Sequence, residues 1–264
     1  MLELRKVYKT FNPGTVNEKR ALNGVDLKLN DGDFVTVIGG NGAGKSTMLN
    51  AVAGVFTVDS GSIIIDDVDV TKLPEHKRAK FIGRVFQDPM MGTAATMGIE
   101  ENLALAYRRG ARRTLRAGIT NKEREFYRQE LKTLGLGLED RMTAKVGLLS
   151  GGQRQALTLL MASIRKPKLL LLDEHTAALD PKTAEKVLQI SDKIVRENNL
   201  TTMMVTHNMR DAIAHGNRLI MMFEGRVVVD VSGEDKKKLT VPDLLEMFSK
   251  ASGSDEADDK LLLS

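Results

Sequence analysis

The stretch Phe34-Val35-Thr36-Val37-Ile38-Gly39-Gly40-Asn41-Gly42-Ala43-Gly44-Lys45-Ser46-Thr47-Met48-Leu49-Asn50 decides how the rest of the chain is read. It passes from a mostly apolar run, through a glycine-rich loop, into a second largely apolar segment, so a strand, a loop and a helix are predicted in that order. Residues 39–47 satisfy the phosphate-binding pattern G-x-x-x-x-G-K-[ST] at every fixed position. Gly39, Gly42 and Gly44, with Asn41 and Ala43 completing the loop, let backbone N–H groups converge on an anion. The helix beginning near Lys45 adds the positive end of its dipole. Lys45 supplies a mobile charge, the Ser46 hydroxyl is the expected Mg²⁺ ligand, and Thr47 donates to a phosphate oxygen one step further back.

Upstream, Leu2-Glu3-Leu4-Arg5-Lys6-Val7 and Val25-Asp26-Leu27-Lys28-Leu29 alternate with a period of two and predict antiparallel strands, separated by a turn at Asn12-Pro13-Gly14. Phe11, at the tip of the first strand, is placed to stack on an adenine ring. A lone phenylalanine also packs in cores, and Tyr8 competes for the stacking role. Downstream, residues 61–67 read as a strand ending in a turn, and Leu73-Pro74-Glu75 opens a short helix. Gln87 leaves a strand just before Asp88-Pro89, where a nucleotide machine needs a sensor for metal and water.

Residues 93–148 change character, with helical spacing over 99–106 and again over 120–131, the second with an N-cap at Thr120 or Asn121. Between these helices lie Arg108, Arg109, Arg112, Arg113 and Arg116, which read either as a solvated loop or as a docking surface for an acidic partner or phospholipid headgroups. Ser150-Gly151-Gly152-Gln153 then precedes a helix over 154–162. Ser-Gly-Gly at a helix start is a second anion cradle, and a chain that already holds phosphates at residues 39–47 has a use for it only if the ligand belongs to another copy of the protein.

Lys168-Leu169-Leu170-Leu171-Leu172-Asp173-Glu174 reads as a buried parallel strand ending in two carboxylates. Asp173 is placed to hold Mg²⁺ through water, and Glu174 to orient or deprotonate a water attacking a γ-phosphate. Pro181 starts another helix, and residues 201–207 form a further core strand that ends in His207, at the sheet edge where ligands of open α/β sheets bind. Residues 219–230 read as a hairpin, Pro242 opens a last helix, and the composition from Ala251 onward predicts a disordered tail.

The 264 residues include no cysteine and only four histidines, which excludes disulfides, thiolate metal sites and a His-rich metal centre. Met1-Leu2-Glu3-Leu4-Arg5 lacks the apolar core of a signal peptide, and no run approaches the roughly 18 apolar residues of a membrane span, so a soluble cytosolic chain is expected. A formal charge of +4 and 4% aromatic residues give little reason to expect nucleic acid as a partner.

Taken together these motifs resemble the ATP-binding subunits of ABC transporters, over about residues 2–248. In that family's terms Phe11 matches the A-loop aromatic, residues 39–47 Walker A, Gln87 the Q-loop, residues 149–153 the signature, and residues 169–173 Walker B. Glu174 matches the catalytic glutamate, residues 178–180 the D-loop and His207 the switch histidine. The resemblance implies an α/β P-loop NTPase with a RecA-like core (1–92 and 149–250), an N-terminal antiparallel β-subdomain and an inserted α-helical subdomain (93–148). It also implies ATP and Mg²⁺ as ligands, with Ser46, Gln87 and Asp173 at the metal. Two subunits would close head to tail, each ATP held by one subunit's Walker A and the other's Ser150, Gly151, Gly152 and Gln153. The further partner would be an integral membrane permease, which places the chain on the inner face of the cell membrane.

Two positions depart from the common pattern. Gly40 stands where proline is frequent, and His175 replaces the proline of Asp-Glu-Pro-Thr-Ser, leaving open a contact with the dimer partner or the leaving phosphate. Residues 90–147 are similar to those of uptake ATPases that accompany a lipoprotein substrate-binding protein and serve aromatic amino acids or related solutes. The rivals are an export motor for lipids, lipoproteins or antibiotics, and a soluble ABC ATPase of DNA repair or translation. The coiled coils, zinc modules or second ATPase domain of the latter are not found in the sequence.

Overall fold

The computed structural model describes residues 1–111 and 118–252; Arg112, Arg113, Arg116 and the acidic tail from residue 253 lie outside them. Strands β1 (Leu2–Phe11) and β2 (Lys19–Leu29) pair antiparallel as their alternation predicts, Leu2, Leu4 and Val7 facing the core. Strand β3 (Phe34–Ile38) crosses into a second sheet, and helix α1 (Lys45–Ala53) follows it. Strands β4 (Ser60–Ile65) and β5 (Val68–Asp69) return to the first sheet and give the order β2-β1-β4-β5.

After the short α2 (Glu75–Arg78), β6 (Ile82–Val85) enters the second sheet. Its other strands are β7 (Leu169–Asp173), β8 (Thr202–Val205), β9 (Arg218–Phe223) and β10 (Arg226–Ser232), in the order β10-β9-β3-β8-β7-β6. All neighbours are parallel except β10 on β9. The carboxyl ends of β3, β8, β7 and β6 therefore lie side by side, which is what the site requires.

Between β6 and β7 the chain forms α3 (Ile99–Tyr107), α4 (Asn121–Lys132) and α5 (Gly151–Ser163). Thr120 caps α4 in a capping box with Glu123, and Arg124 on α4 holds Glu100 on α3 at 2.7 Å. Tyr107, Phe126 and Tyr127 stack where these helices meet. The remaining helices are α6 (Pro181–Asn198), α7 (Met209–Ala214), α8 (Gly233–Lys238) and α9 (Val241–Ser252). No helix among the described residues is long and apolar enough to cross a membrane.

The layers follow from which faces are apolar. Met48, Leu49 and Val52 of α1 are buried between the two sheets, in one cluster with Leu4, Val25 and Ile63 of the first and Val37 and Leu171 of the second. The opposite face of β7 packs on α5 and α6, in a cluster that takes in α3 and α4. Arg78, 1% exposed, locks α1 in place: its guanidinium donates to the carbonyls of Ala51 and Val52 at the helix end and to those of Leu73 and Thr71. The last carbonyls of a helix have no intrahelical partner, so this charge satisfies groups that would otherwise be buried unpaired.

Candidate active site

The loop after β3 is built to face an anion. Gly44, at φ 104, is the residue before α1, and a Cβ there would lie 2.5 Å from the Ala21 carbonyl oxygen, so only glycine closes the loop against β2. Helix α1 begins with no side-chain cap and no acidic residue in its first turn. Its first N–H groups are thus left for a ligand. Lys45, 7% exposed, curls back so that its ammonium donates to the carbonyls of Gly39 (2.6 Å) and Gly40 (3.3 Å). Burial pulls its pKa below the usual lysine range, while the charges of Glu174 and Asp173 oppose that shift.

Asp173 closes β7, and Glu174 follows at φ +42 with its N–H donated to the Val205 carbonyl on β8. Glu174 Oε2 lies 3.7 Å from His207 Nδ1, just beyond the end of β8. Burial raises the Asp173 carboxyl pKa, and Arg84 of β6, 3.2 Å away, opposes the rise. The same guanidinium donates to Asn50 Oδ1 on α1 at 2.6 Å. Gln87 stands two residues past β6, where the buried amide of Gln155 on α5 donates to the Phe86 carbonyl. Arg84 and Gln155 carry no motif, and the sequence offers no sign of either role.

These residues line two neighbouring cavities. The smaller, about 340 Å³, is bounded by Phe11, Lys19, Ala21, residues 41–47 and Glu174. The larger, about 680 Å³, takes in Asn50, Arg84, Gln87 and Asp173. Ser46 and Glu174 line the smaller cavity, and Gln87 and Asp173 the larger. Phe11 lines the smaller cavity, its ring edge-on to Phe56 at 5.3 Å, whereas Tyr8 lines neither. Lys19, the strand partner of Phe11, reaches to 3.0 Å from where a Cβ on Gly42 would be; the pairing of the two strands, not any motif, brings it there.

Ser150, Gly151, Gly152 and Gln153 line neither cavity. The helix expected over 154–162 starts earlier, at Gly151, because Ser150 and Gln153 form a capping box: Ser150 Oγ accepts from Gln153 N–H and Gln153 Oε1 from Ser150 N–H. Gly152 is also demanded by packing, since a Cβ there would meet Thr183 Cγ2 of α6 at 2.2 Å. His175 needs a correction. It is 2% exposed and hydrogen-bonded to Ser191 Oγ, so in this subunit its side chain reaches neither a phosphate nor the surface. Burial drops its pKa to about 4, which leaves it neutral at pH 7.

The fold and this sheet edge define a P-loop nucleotide hydrolase. A family model described as ABC transporter matches residues 22–177. A tyrosine transport ATP-binding protein of Clostridioides difficile strain R20291 is 45% identical over 252 residues, covering 95% of this chain and 100% of that one. A spermidine/putrescine import ATP-binding protein of Haemophilus influenzae is 34% identical over 88% of this chain, which spans 58% of that protein's length. Among solved structures, a dimeric ATP-binding cassette in a post-hydrolysis state with ADP and Pi superposes with a TM-score of 0.74, at 31% identity over 88% of this chain and 98% of that one. This chain belongs to the ABC transporter family as an ATP-binding subunit, and it is an ATPase.

Proposed function

We propose that the chain is the motor of an importer, closing as a homodimer around two ATP molecules to drive a membrane permease, with tyrosine or a related amino acid as cargo. The observation that carries the motor reading is the convergence of Lys45, Asp173, Glu174 and His207 on one sheet edge. The cargo rests on the tyrosine transport relative, matched along its whole length. Import rests on the spermidine/putrescine import protein of H. influenzae.

In this reading the triphosphate lies along residues 39–47, with Lys45 leaving the loop carbonyls for the β- and γ-phosphates and Thr47 donating behind it. Ser46, Gln87 and Asp173 offer only hard oxygen donors, which suit Mg²⁺. Among the described residues no group of three or more His, Cys, Asp or Glu could hold a metal ion by itself. When bound, Mg²⁺ neutralises charge developing on the transferring phosphoryl group. Glu174 orients the attacking water and His207 holds Glu174 and the γ-phosphate in register.

Phe11→Ala is expected to weaken ATP binding about tenfold, because a base on an aromatic face is worth about 1–3 kcal/mol, while Phe11→Tyr keeps the ring and changes little. Lys19→Ala should cost a few-fold at low salt and less at high salt, as an exposed charge is screened. Titration with a fluorescent ATP analogue checks both. A larger loss for Tyr8→Ala than for Phe11→Ala would reassign the stacking residue.

The functional reading is tested by co-purifying the permease with the tagged chain and reconstituting both, with a substrate-binding protein, in vesicles whose ATP is on this subunit's side. ATP-dependent accumulation of labelled tyrosine from the opposite side is expected. ATP-driven movement in the other direction would overturn import, and failure to recover any membrane protein would overturn the transport reading.

A further inference from the structure

We propose that His175 is a positioning residue for Glu174: its imidazole, hydrogen-bonded to Ser191 on α6, fixes the backbone immediately after the carboxylate that handles the attacking water. The inference rests on the reading of Glu174 given above.

Glu174 adopts φ +42, the left-handed region that a non-glycine residue occupies only when its surroundings force it to. This turn takes the chain off the end of β7 and brings the Glu174 carboxylate toward His207. Two backbone bonds hold Glu174 itself: its N–H donates to the Val205 carbonyl at 3.0 Å, and its carbonyl accepts from Ala177 N–H at 3.0 Å. The first ties it to β8 and the second to its own loop. Neither anchors the far side of the turn to a rigid element.

His175 supplies that anchor. Its Nε2 lies 3.0 Å from Ser191 Oγ, and Ser191 in turn donates its hydroxyl proton to the Val187 carbonyl at 2.9 Å. With that proton committed, the serine oxygen can only accept, so Nε2 carries the hydrogen and donates. Ser191 is in the middle of α6, which is 18 residues long and packs on α5, and its neighbours Leu188, Ile190, Ile194 and Val195 belong to the core. The bond bypasses residues 176–180 and fastens the end of β7 to the body of a helix. A proline at this position would restrict φ through its ring; a histidine leaves φ free, and here the side chain does the fixing. A buried polar ring is costly unless it is hydrogen-bonded, and an aliphatic residue would fill the same space without that demand. The polar choice therefore points to orientation and not to filling.

The test uses the full chain and compares His175→Leu, which keeps volume, His175→Gln, whose Nε2 donor keeps the reach to Ser191, and Ser191→Ala, which removes one oxygen. Steady-state hydrolysis gives kcat and KM, and a fluorescent ATP analogue gives affinity independently of turnover. His175→Leu and Ser191→Ala are each expected to lower kcat about 10- to 100-fold, as small misplacements of a reacting group do, with nucleotide affinity unchanged. His175→Gln should recover most of the rate, and the Leu and Ala changes combined should lose no more than either alone. Wild-type kcat in folded His175→Leu and in Ser191→Ala, or a Gln variant as slow as the Leu variant, would overturn the inference. Should His175→Leu fail to fold, Ser191→Ala decides alone. Glu174→Gln is run beside them: if it hydrolyses ATP normally the reading of Glu174 falls and this inference with it, whereas slow Glu174→Gln with fast His175→Leu and Ser191→Ala removes only the inference.

Discussion

With glutamine at position 174, ATP is expected to bind as before while steady-state hydrolysis falls at least about 100-fold, the scale of a lost general base. Glutamine keeps the shape of the side chain and can still reach His207, now 3.7 Å from Glu174 Oε2, but it cannot take a proton from water. The contacts that hold the triphosphate come from residues 41–47 and are untouched. The local charge also changes in a direction that helps binding. Glu174 is one of two carboxylates whose charge sustains the Lys45 ammonium against burial, and Asp173 remains to do so. Removing one negative charge from a pocket meant for an anion should hold affinity or raise it. Binding and turnover measured on the same preparation check this, and near-normal turnover would remove Glu174 from its role.

What the sequence revealed and what it hid divide along a physical line. Residues 39–47 were readable because a phosphate loop is a local device: strand, glycines, lysine and helix start follow one another in one continuous stretch of the chain. Asp173 and Glu174 were readable because a fully apolar strand announces its own end. The alternation of residues 2–7 and 25–29 gave two strands of the first sheet, and of the two N-cap candidates, Thr120 and Asn121, it is Thr120 that caps α4. The expected RecA-like core and inserted helices agree with the solved cassettes that superpose on this chain.

Arg84, Arg78, Gln155 and Lys19 were not readable, because each meets its partner across the fold: Arg84 and Asp173 are 89 residues apart, and Gln155 and Phe86 are 69. The two-residue β5 and the six-residue α8 are too short to leave a periodic signal. His175 shows the limit most directly. Next to Glu174 in sequence, it looked like a candidate for the phosphate or the partner, but the turn at Glu174 sends consecutive side chains to opposite destinations, one toward His207 and the other into the core.

The second large effect concerns Ser150. The sequence reading expects two anion cradles about 100 residues apart, and only the first, residues 41–47, borders the smaller cavity. Ser150, Gly151 and Gln153 stand at the start of α5, with Ser150 and Gly151 exposed and with Leu148, 72% exposed, just before them. If this face receives the γ-phosphate of a second subunit, ATP is part of the interface and stabilises the dimer by the difference in its affinity for the closed and open states. An arginine at position 150 would break the Ser150–Gln153 capping box and fill the face with a long cation, without touching residues 41–47.

Sedimentation of the Glu174→Gln chain with ATP and Mg²⁺, alone and with Ser150→Arg added, tests the claim that this protein works as an ATP-closed pair. The account predicts a dimer for the single variant and a monomer that still binds ATP for the double variant. A double variant that remains a dimer would contradict it, because the signature residues would then not face a partner's nucleotide.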